Sequence, residues 1–223
     1  MTTSQLYSGE ERVSYFGQTR PELWSLIPTE ATSMLDIGCA SGGLGQAIKK
    51  RQQVRYCGVD FDQLAVEQAQ QVLDDAVQGD ITLMDLPYPL ASFDVLIFAD
   101  ILEHLADPLT TLKRWLPLLK PSGKVIVSLP NVQHYTVALP LVLSGRFDYA
   151  DRGILDRTHL RLFSRSSARQ LLIDSDLIVE REVPNLQPYF HVIKLIDFMT
   201  FRRLHGFFAQ QWMFVARHAG AEV

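Results

Sequence analysis

The amino-acid sequence predicts an α/β fold, a three-layer sandwich in which helices cover both faces of a mostly parallel sheet. Three stretches carry that prediction. Ser33-Met34-Leu35-Asp36-Ile37 is an apolar run holding one acid, and it passes through a glycine cluster (Gly38, Gly42, Gly43, Gly45) into a helical pattern from Leu44 to Lys50. This is the strand-loop-helix order of an open α/β sheet. Val54-Arg55-Tyr56-Cys57-Gly58-Val59-Asp60 repeats the strand pattern about 22 residues after Gly38, the distance of one helical crossover. Phe93-Asp94-Val95-Leu96-Ile97-Phe98 is almost continuously apolar, as a strand buried on both faces should be.

The elements follow in chain order. Residues 1–32 read as an N-terminal helical cap, in which Leu23, Trp24, Leu26 and Ile27 form a short amphipathic helix with Pro21 near its start and Pro28 at its end. Asp62 caps a helix that reaches Val72, with Leu64, Ala65, Ala69 and Val72 at helical spacing. Ala76-Val77 is a weak third strand, and the fourth strand, Phe93 to Phe98, belongs beside the first. A helix from Leu109 to Leu118 leads through Lys120-Pro121-Ser122-Gly123, a turn by its proline and glycine, into a fifth strand from Lys124 to Asn131. Residues 132–163 depart from the repeat at the crevice end of a strand, where an α/β fold keeps its substrate determinants. Ser164 caps a helix to about Asp174, Leu177-Ile178-Val179-Glu180 begins a sixth strand, and Gln211 to Arg217 closes the sheet as an antiparallel last strand. Residues 185–210 then bridge a hairpin as a lid or a homodimer face, and the whole chain, 1–223, reads as a single domain.

Composition narrows the classes of function. A hydrophobic share of 47% with 21% charged residues is that of an ordinary soluble domain, and the net charge of -4 gives no global attraction to nucleic acid. Cys39 and Cys57 lack metal-type spacing and read as buried free thiols in a reducing compartment. The polar start, Met1 to Arg12, lacks a signal-peptide apolar block, and no transmembrane segment is evident, so the cytoplasm is the expected location.

The glycine cluster is a ligand loop: its glycines let the backbone turn sharply, and the helix start behind it offers unpaired N–H groups. Asp36 sets the ligand class, since a carboxylate at the strand end attracts an ammonium and repels a pyrophosphate. Leu35-Asp36-Ile37-Gly38-Cys39-Ala40-Ser41-Gly42 resembles the first motif of class I S-adenosylmethionine (SAM)-dependent methyltransferases. Ala40 stands where that motif has its middle glycine, so its backbone must either take an ordinary negative φ or carry strain. The resemblance covers about Met34 to Arg217 and implies a Rossmann-like seven-stranded sheet. It also implies cofactor contacts at Asp36, Gly38, Ala40, Gly42, Asp60 (ribose), Phe61 (beside the adenine), Asp80 (the exocyclic amine), Ile81 and Asp100. Segments like residues 1–32 often cover the ligand in that family, which makes Tyr15 and Arg20 candidate contacts.

A second constellation, Asp100-Ile101-Leu102-Glu103-His104-Leu105-Ala106-Asp107-Pro108, follows the fourth strand at the crevice and is typical of small-molecule members of the family. Three readings stand open. His104 is a general base or orienting partner near neutral pH; or Asp100, Glu103 and His104, at i, i+3 and i+4 on one helical face, ligate a divalent cation; or the group only ties loops, with Asp107 capping the next helix. His159 is the other candidate base, and in the metal-dependent relatives a histidine at its place completes the metal site; His134 is a weaker candidate. The segment Asp156 to Ser164, and Arg20-Pro21-Glu22-Leu23, resemble methyltransferases encoded with bacterial cell-surface polysaccharide enzymes.

Arg146, Arg152, Arg157, Arg161, Arg165 and Arg169 outnumber the nearby Asp148, Asp151 and Asp156, which suggests either an anionic acceptor or a solvated face of internal ion pairs. The expected function is methyl transfer from SAM to a small acceptor, a hydroxyl of a sugar or related metabolite, with Glu103, His104 and His159 serving the acceptor. Two rivals remain: a non-catalytic SAM-binding subunit of a polysaccharide-assembly complex, and an NAD-dependent reductase, disfavoured by Asp36, Ala40 and the lack of a Tyr-x-x-x-Lys pair.

Overall fold

A computed structural model describes residues 19–186 and 205–220. Seven strands form one sheet: β1 (Ser33–Ile37), β2 (Arg55–Asp60), β3 (Asp75–Gln78), β4 (Phe93–Ala99), β5 (Leu119–Pro130), β6 (Leu177–Asn185) and β7 (Gln211–His218). Their order is β3-β2-β1-β4-β5-β7-β6, parallel from β3 to β5, with β7 antiparallel to both β5 and β6. The chain runs outward from β1 through β2 to β3, then returns to lay β4 on the other side of β1. A crevice therefore opens beyond the carboxyl ends of β1 and β4, at the switch in strand order.

The helices are α1 (Gly43–Lys49), α2 (Gln63–Ala69), α3 (Pro108–Trp115), α4 (Tyr135–Ser144), α5 (Arg165–Asp174) and α6 (His205–Phe208). Side-chain alternation along β4 divides the core. Leu96 and Phe98 join Leu112 and Trp115 of α3 and Leu171 and Leu172 of α5, while Val95 and Ile97 join Leu23, Leu26, Leu44 and Ile48 on the opposite face. Trp115 is fully buried, and its indole N–H donates to the Ile81 carbonyl at 2.9 Å, which satisfies its one polar atom. The helix starts follow the sequence signals: Asp62 accepts from the Ala65 amide, Asp107 from the Thr110 amide, and Ser164 forms a reciprocal cap with Ser167.

Two elements differ from the sequence reading. The N-terminal segment is a 3-10 helix, Pro21–Leu26, entered from Arg20 at φ 48. Lys120-Pro121-Ser122-Gly123 is not a turn ahead of β5 but a bulge inside it: β5 advances from Leu119 to Lys124 while its partner β4 advances only from Phe93 to Val95. Lys120 pins that bulge with its ammonium 2.7 Å from Asp94 Oδ1. Pro21 opens the first structure, where no N–H is needed, and Pro121 and Gly123 mark the second. Tyr15 and most of the segment read as a lid or dimer face lie outside the described residues.

Close packing of α1 on β2 depends on Gly45. A Cβ at this position would meet Leu73 Cδ2 at 2.4 Å and Tyr56 Cδ1 at 2.5 Å. Gly45→Ala is accordingly expected to destabilise the protein by about 1–3 kcal/mol through overpacking, read as a lower urea midpoint with an unchanged slope. An unchanged midpoint would show that this interface has slack.

Candidate active site

The crevice begins with the loop after β1. Gly38 (φ 84) and Gly42 (φ 80) occupy the left-handed region, as glycine allows. Ala40 also lies there, at φ 49, so of the two alternatives for this position the strained one holds, at a cost of about 1 kcal/mol. Asp60, at the end of β2, ties the loop down: Oδ2 accepts from the Ala40 amide at 2.8 Å and Oδ1 from the Asp62 amide at 2.9 Å. Burial pushes its pKa up against these bonds. Phe61, next in sequence, leaves its ring half exposed at 54%. Asp80 forms a turn in which Oδ1 accepts from both the amide and the hydroxyl of Thr82, and Ile81 points its side chain into the core.

Asp36 is more enclosed than an open crevice residue. It is 3% exposed, Oδ2 accepts from the Tyr56 hydroxyl at 3.0 Å, and Oδ1 has no hydrogen-bond partner. Burial raises its pKa to about 7, opposed by the Tyr56 bond and the charge of Arg20. An acid whose pKa rises on folding holds a proton the unfolded chain has released, so its contribution to stability is full below about pH 4 and is lost as pH climbs through 7. Asp36→Asn keeps an acceptor for Tyr56 and removes this titration. The ligand-free variant is expected to be about 2 kcal/mol more stable than the parent at pH 8 and to approach it at pH 5, by denaturant unfolding. A constant difference across that range would contradict the assignment.

The acceptor side is built on the turn after β4. The predicted helical face over Asp100, Glu103 and His104 is absent: Asp100 sits at φ 53, and only Leu102–His104 form a 3-10 turn. The structure instead gathers Glu103, His104 and His159, whose candidate ligand atoms lie within 4.8 Å of one another. The insertion delivers His159. The Glu103 carbonyl accepts from the Leu160 and Arg161 amides, both at 2.9 Å, and the rings of His104 and His159 meet edge to face at 4.8 Å.

The tautomers follow from the partners. His104 Nδ1 lies 3.2 Å from the Thr158 carbonyl and His159 Nδ1 lies 2.9 Å from the Ile154 carbonyl. A carbonyl only accepts, so each Nδ1 carries a proton, and in the neutral imidazole Nε2 is the nitrogen left with a lone pair. Burial and the neighbouring His159 push the His104 pKa down, favouring this neutral form. Glu103 is 1% exposed, and both of its carboxylate oxygens lack a hydrogen-bond partner. Burial, then the charge of Asp100, holds its pKa well above the usual carboxylate range. His159 Nε2 and Glu103 Oε1 stand 4.0 Å apart, too far for a hydrogen bond and close enough for one cation with ligand bonds of about 2.0–2.2 Å to bridge. A buried unpaired carboxylate beside two outward lone pairs fits a divalent cation, and the carbonyl partners on Nδ1 are those that orient metal-binding histidines.

Asp100 takes no part in that cluster. Arg20 Nη1 and Gln211 Nε2 donate to its Oδ2 and the Ser128 hydroxyl donates to Oδ1, so its carboxylate spans the N-terminal segment, β5 and β7. Ser128, Gln211 and Tyr56 are not singled out by the sequence; all three lie on predicted strands, and no local signal marks their side chains as part of a site. His134, the weaker base candidate, is buried and caps α4 through Thr136. The arginines of the insertion largely find internal partners: Arg157 pairs with Asp151, Arg161 donates to the Ala106 carbonyl, and Arg165 and Arg169 both bind Glu182. Ion pairs within the chain thus hold Arg157, Arg165 and Arg169, and a backbone carbonyl holds Arg161. Among the described residues no helix is long and apolar enough to cross a membrane.

Known proteins resemble this chain in part of its sequence and in its fold. Residues 35–125, from β1 into β5, match a family model described as a methyltransferase domain. The ubiquinone biosynthesis O-methyltransferase of Bradyrhizobium diazoefficiens is 27% identical over 154 residues, 67% of this chain and 59% of that protein. The enzyme of the same name from Coxiella burnetii is 29% identical over 161 residues, 66% of this chain and 67% of its own. This chain thus spans about half to two thirds of the length of the relatives it matches. Among solved structures, a SAM-dependent methyltransferase from Mesorhizobium loti superposes with a TM-score of 0.63 at 14% identity, covering 91% of this chain and 99% of its own. One from Archaeoglobus fulgidus gives 0.62 at 18% identity, covering 92% and 97%. With its glycine loop, its acid at the end of β2 and its sheet order, this chain carries a match to a methyltransferase domain over residues 35–125 and has the fold of SAM-dependent methyltransferases.

Proposed function

We propose that the protein transfers a methyl group from S-adenosylmethionine to a hydroxyl of a small-molecule acceptor, with a divalent cation held by Glu103, His104 and His159. The observation that carries this reading is Glu103: a carboxylate 1% exposed, with neither oxygen hydrogen-bonded, 4.0 Å from His159 Nε2 and grouped with a ligand nitrogen of His104 within 4.8 Å. A purely structural glutamate in that position would cost folding energy without return. The names of the relatives favour oxygen as the methylated atom, and a sugar hydroxyl and a hydroxyl on a ubiquinone precursor are the acceptors to compare first.

The cofactor supplies an electrophilic methyl on a sulfonium, so an O–C bond forms as an S–C bond breaks and the acceptor proton leaves. What the chain contributes is alignment and proton management. Gly38, Ala40 and Gly42 shape the loop, Asp60 holds it and accepts from ribose hydroxyls, and Asp80 accepts from the adenine amine. Phe61 offers a face to the base. The unpartnered Oδ1 of Asp36 is the acceptor for the cofactor's ammonium. A cation on Glu103, His104 and His159 would act as a Lewis acid that lowers the acceptor's pKa. His104 or His159 receives the proton when its Nε2 is free. The domain organisation fits the same division: residues 35–125 carry the cofactor half, and residues 132–163 bring His159 to the acceptor half.

The test is transfer of labelled methyl to a panel of sugar and quinol-precursor hydroxyls, before and after chelation. The reading expects oxygen methylation that EDTA abolishes and Mn²⁺ or Mg²⁺ restores. Full activity in EDTA would leave His104 and His159 as bases only and remove the cation from the proposal.

A further inference from the structure

Both imidazoles of the acceptor site take their orientation from one short turn of the insertion. Residues 153–156 close on themselves, the Asp156 amide donating to the Gly153 carbonyl at 3.1 Å, with Gly153 at φ 90. Ala150 holds this turn from the side: its amide donates to the Leu155 carbonyl at 2.8 Å, and its carbonyl accepts from the Arg157 amide at 2.9 Å. Arg157 faces solvent, whereas Asp156 is 3% exposed. The Asp156 side chain closes a second turn on the first. Its Oδ1 accepts from the Thr158 amide at 2.8 Å and from the Thr158 hydroxyl at 2.7 Å, and the Asp156 carbonyl accepts from the His159 amide at 3.0 Å. Aspartate suits that geometry because its short side chain reaches the amide two residues on.

The turn reaches the site through two carbonyls. Thr158, held by Oδ1, presents the carbonyl that lies 3.2 Å from His104 Nδ1, and His159, held by the Asp156 carbonyl, sets its own Nδ1 2.9 Å from the Ile154 carbonyl. Imidazole in water prefers its proton on Nε2, so these carbonyls, not the rings, dictate the tautomer. We propose that Asp156 is the positioning residue of the acceptor site: through one turn it holds both imidazoles with the proton on Nδ1, which leaves Nε2 of each for a cation or for the acceptor's proton. This deepens the function proposed above and rests on it. Asp156 acts through Thr158 and the backbone of residues 154–159, as the outer partners of ligating histidines do.

Heteronuclear NMR of the imidazole nitrogens in the cation-free full chain tests this, at about pH 8 where an ordinary histidine is neutral. The signals are identified by their loss in His104→Ala and in His159→Ala. In the parent both rings are expected as the Nδ1–H tautomer. Asp156→Ala should move His104 toward the Nε2–H tautomer and lower kcat at least about tenfold, with KM for SAM within about twofold of the parent. Asp156→Asn keeps the Oδ1 acceptor without the charge and should restore the tautomer and most of kcat. Asp156→Glu keeps the charge, displaces the acceptor by one methylene and should restore neither. Parental tautomers in Asp156→Ala overturn the proposal, and so does an Nε2–H tautomer at either ring in the parent. If Asp156→Ala does not fold, Asp156→Glu decides in its place by the same criterion. A parent that methylates no hydroxyl overturns the function proposed above, and the role of Asp156 falls with it even where the tautomers shift as expected.

Discussion

Glu103→Gln is expected to lower methyl transfer by about 10²–10³-fold while raising the melting temperature of the ligand-free protein. The two effects have one cause. In the folded chain the carboxylate is enclosed, without a hydrogen bond to either oxygen, and its pKa is driven up by burial and by Asp100. Exchanging it for a neutral amide of the same shape relieves that penalty. The same exchange removes the charge on which a cation at the cluster depends. A glutamate that merely tied loops would behave in the opposite way, because its loss would destabilise and leave turnover intact. The loop attachments here run through the Glu103 carbonyl, to the Leu160 and Arg161 amides, and the substitution leaves them in place. His159→Ala should match the loss of turnover without the gain in stability. A Glu103→Gln enzyme with parental turnover would eliminate the residue from the mechanism.

The second large effect is expected at Asp60. Asp60→Ala should weaken binding of SAM and of S-adenosylhomocysteine by about 10–100-fold in calorimetry, the range for losing hydrogen bonds to a charged group. Two losses combine in this variant. The ribose loses its acceptor, and the loop loses the bond from the Ala40 amide that holds Ala40 in its left-handed conformation. Asp60→Asn keeps one oxygen for the loop and should recover part of the affinity. Equal binding by parent and Asp60→Ala would mean that the glycine loop does not receive the cofactor where its family resemblance puts it.

Much of this site could be read from sequence because its parts lie next to one another along the chain. The acid and glycines from Asp36 to Gly42, the acid closing β2 and the Glu103-His104 pair each sit within a few residues at a strand's end, where the fold opens its crevice. The sheet followed for a similar reason, since a strand such as Phe93–Ala99, buried on both faces, must be apolar almost throughout. Contacts that join distant segments were not legible. Asp100 meets Ser128, Arg20 and Gln211 across separations of 28, 80 and 111 positions, and no local pattern announces such a junction. The helical spacing of Asp100, Glu103 and His104 misled because three residues of 3-10 turn entered from a left-handed aspartate do not make a helical face. His159 entered as a candidate through resemblance alone; its place beside Glu103 depends on how residues 150–163 fold back, which hydrogen bonds to backbone carbonyls decide.

One measurement tests the central claim most directly: the anomalous difference map of crystals grown with S-adenosylhomocysteine and Mn²⁺. The account predicts a single strong peak within about 2.4 Å of a Glu103 carboxylate oxygen and of Nε2 of both His104 and His159, with S-adenosylhomocysteine lying along Gly38, Asp60 and Asp80. An S-adenosylhomocysteine molecule in that crevice with no peak at the three side chains would contradict it.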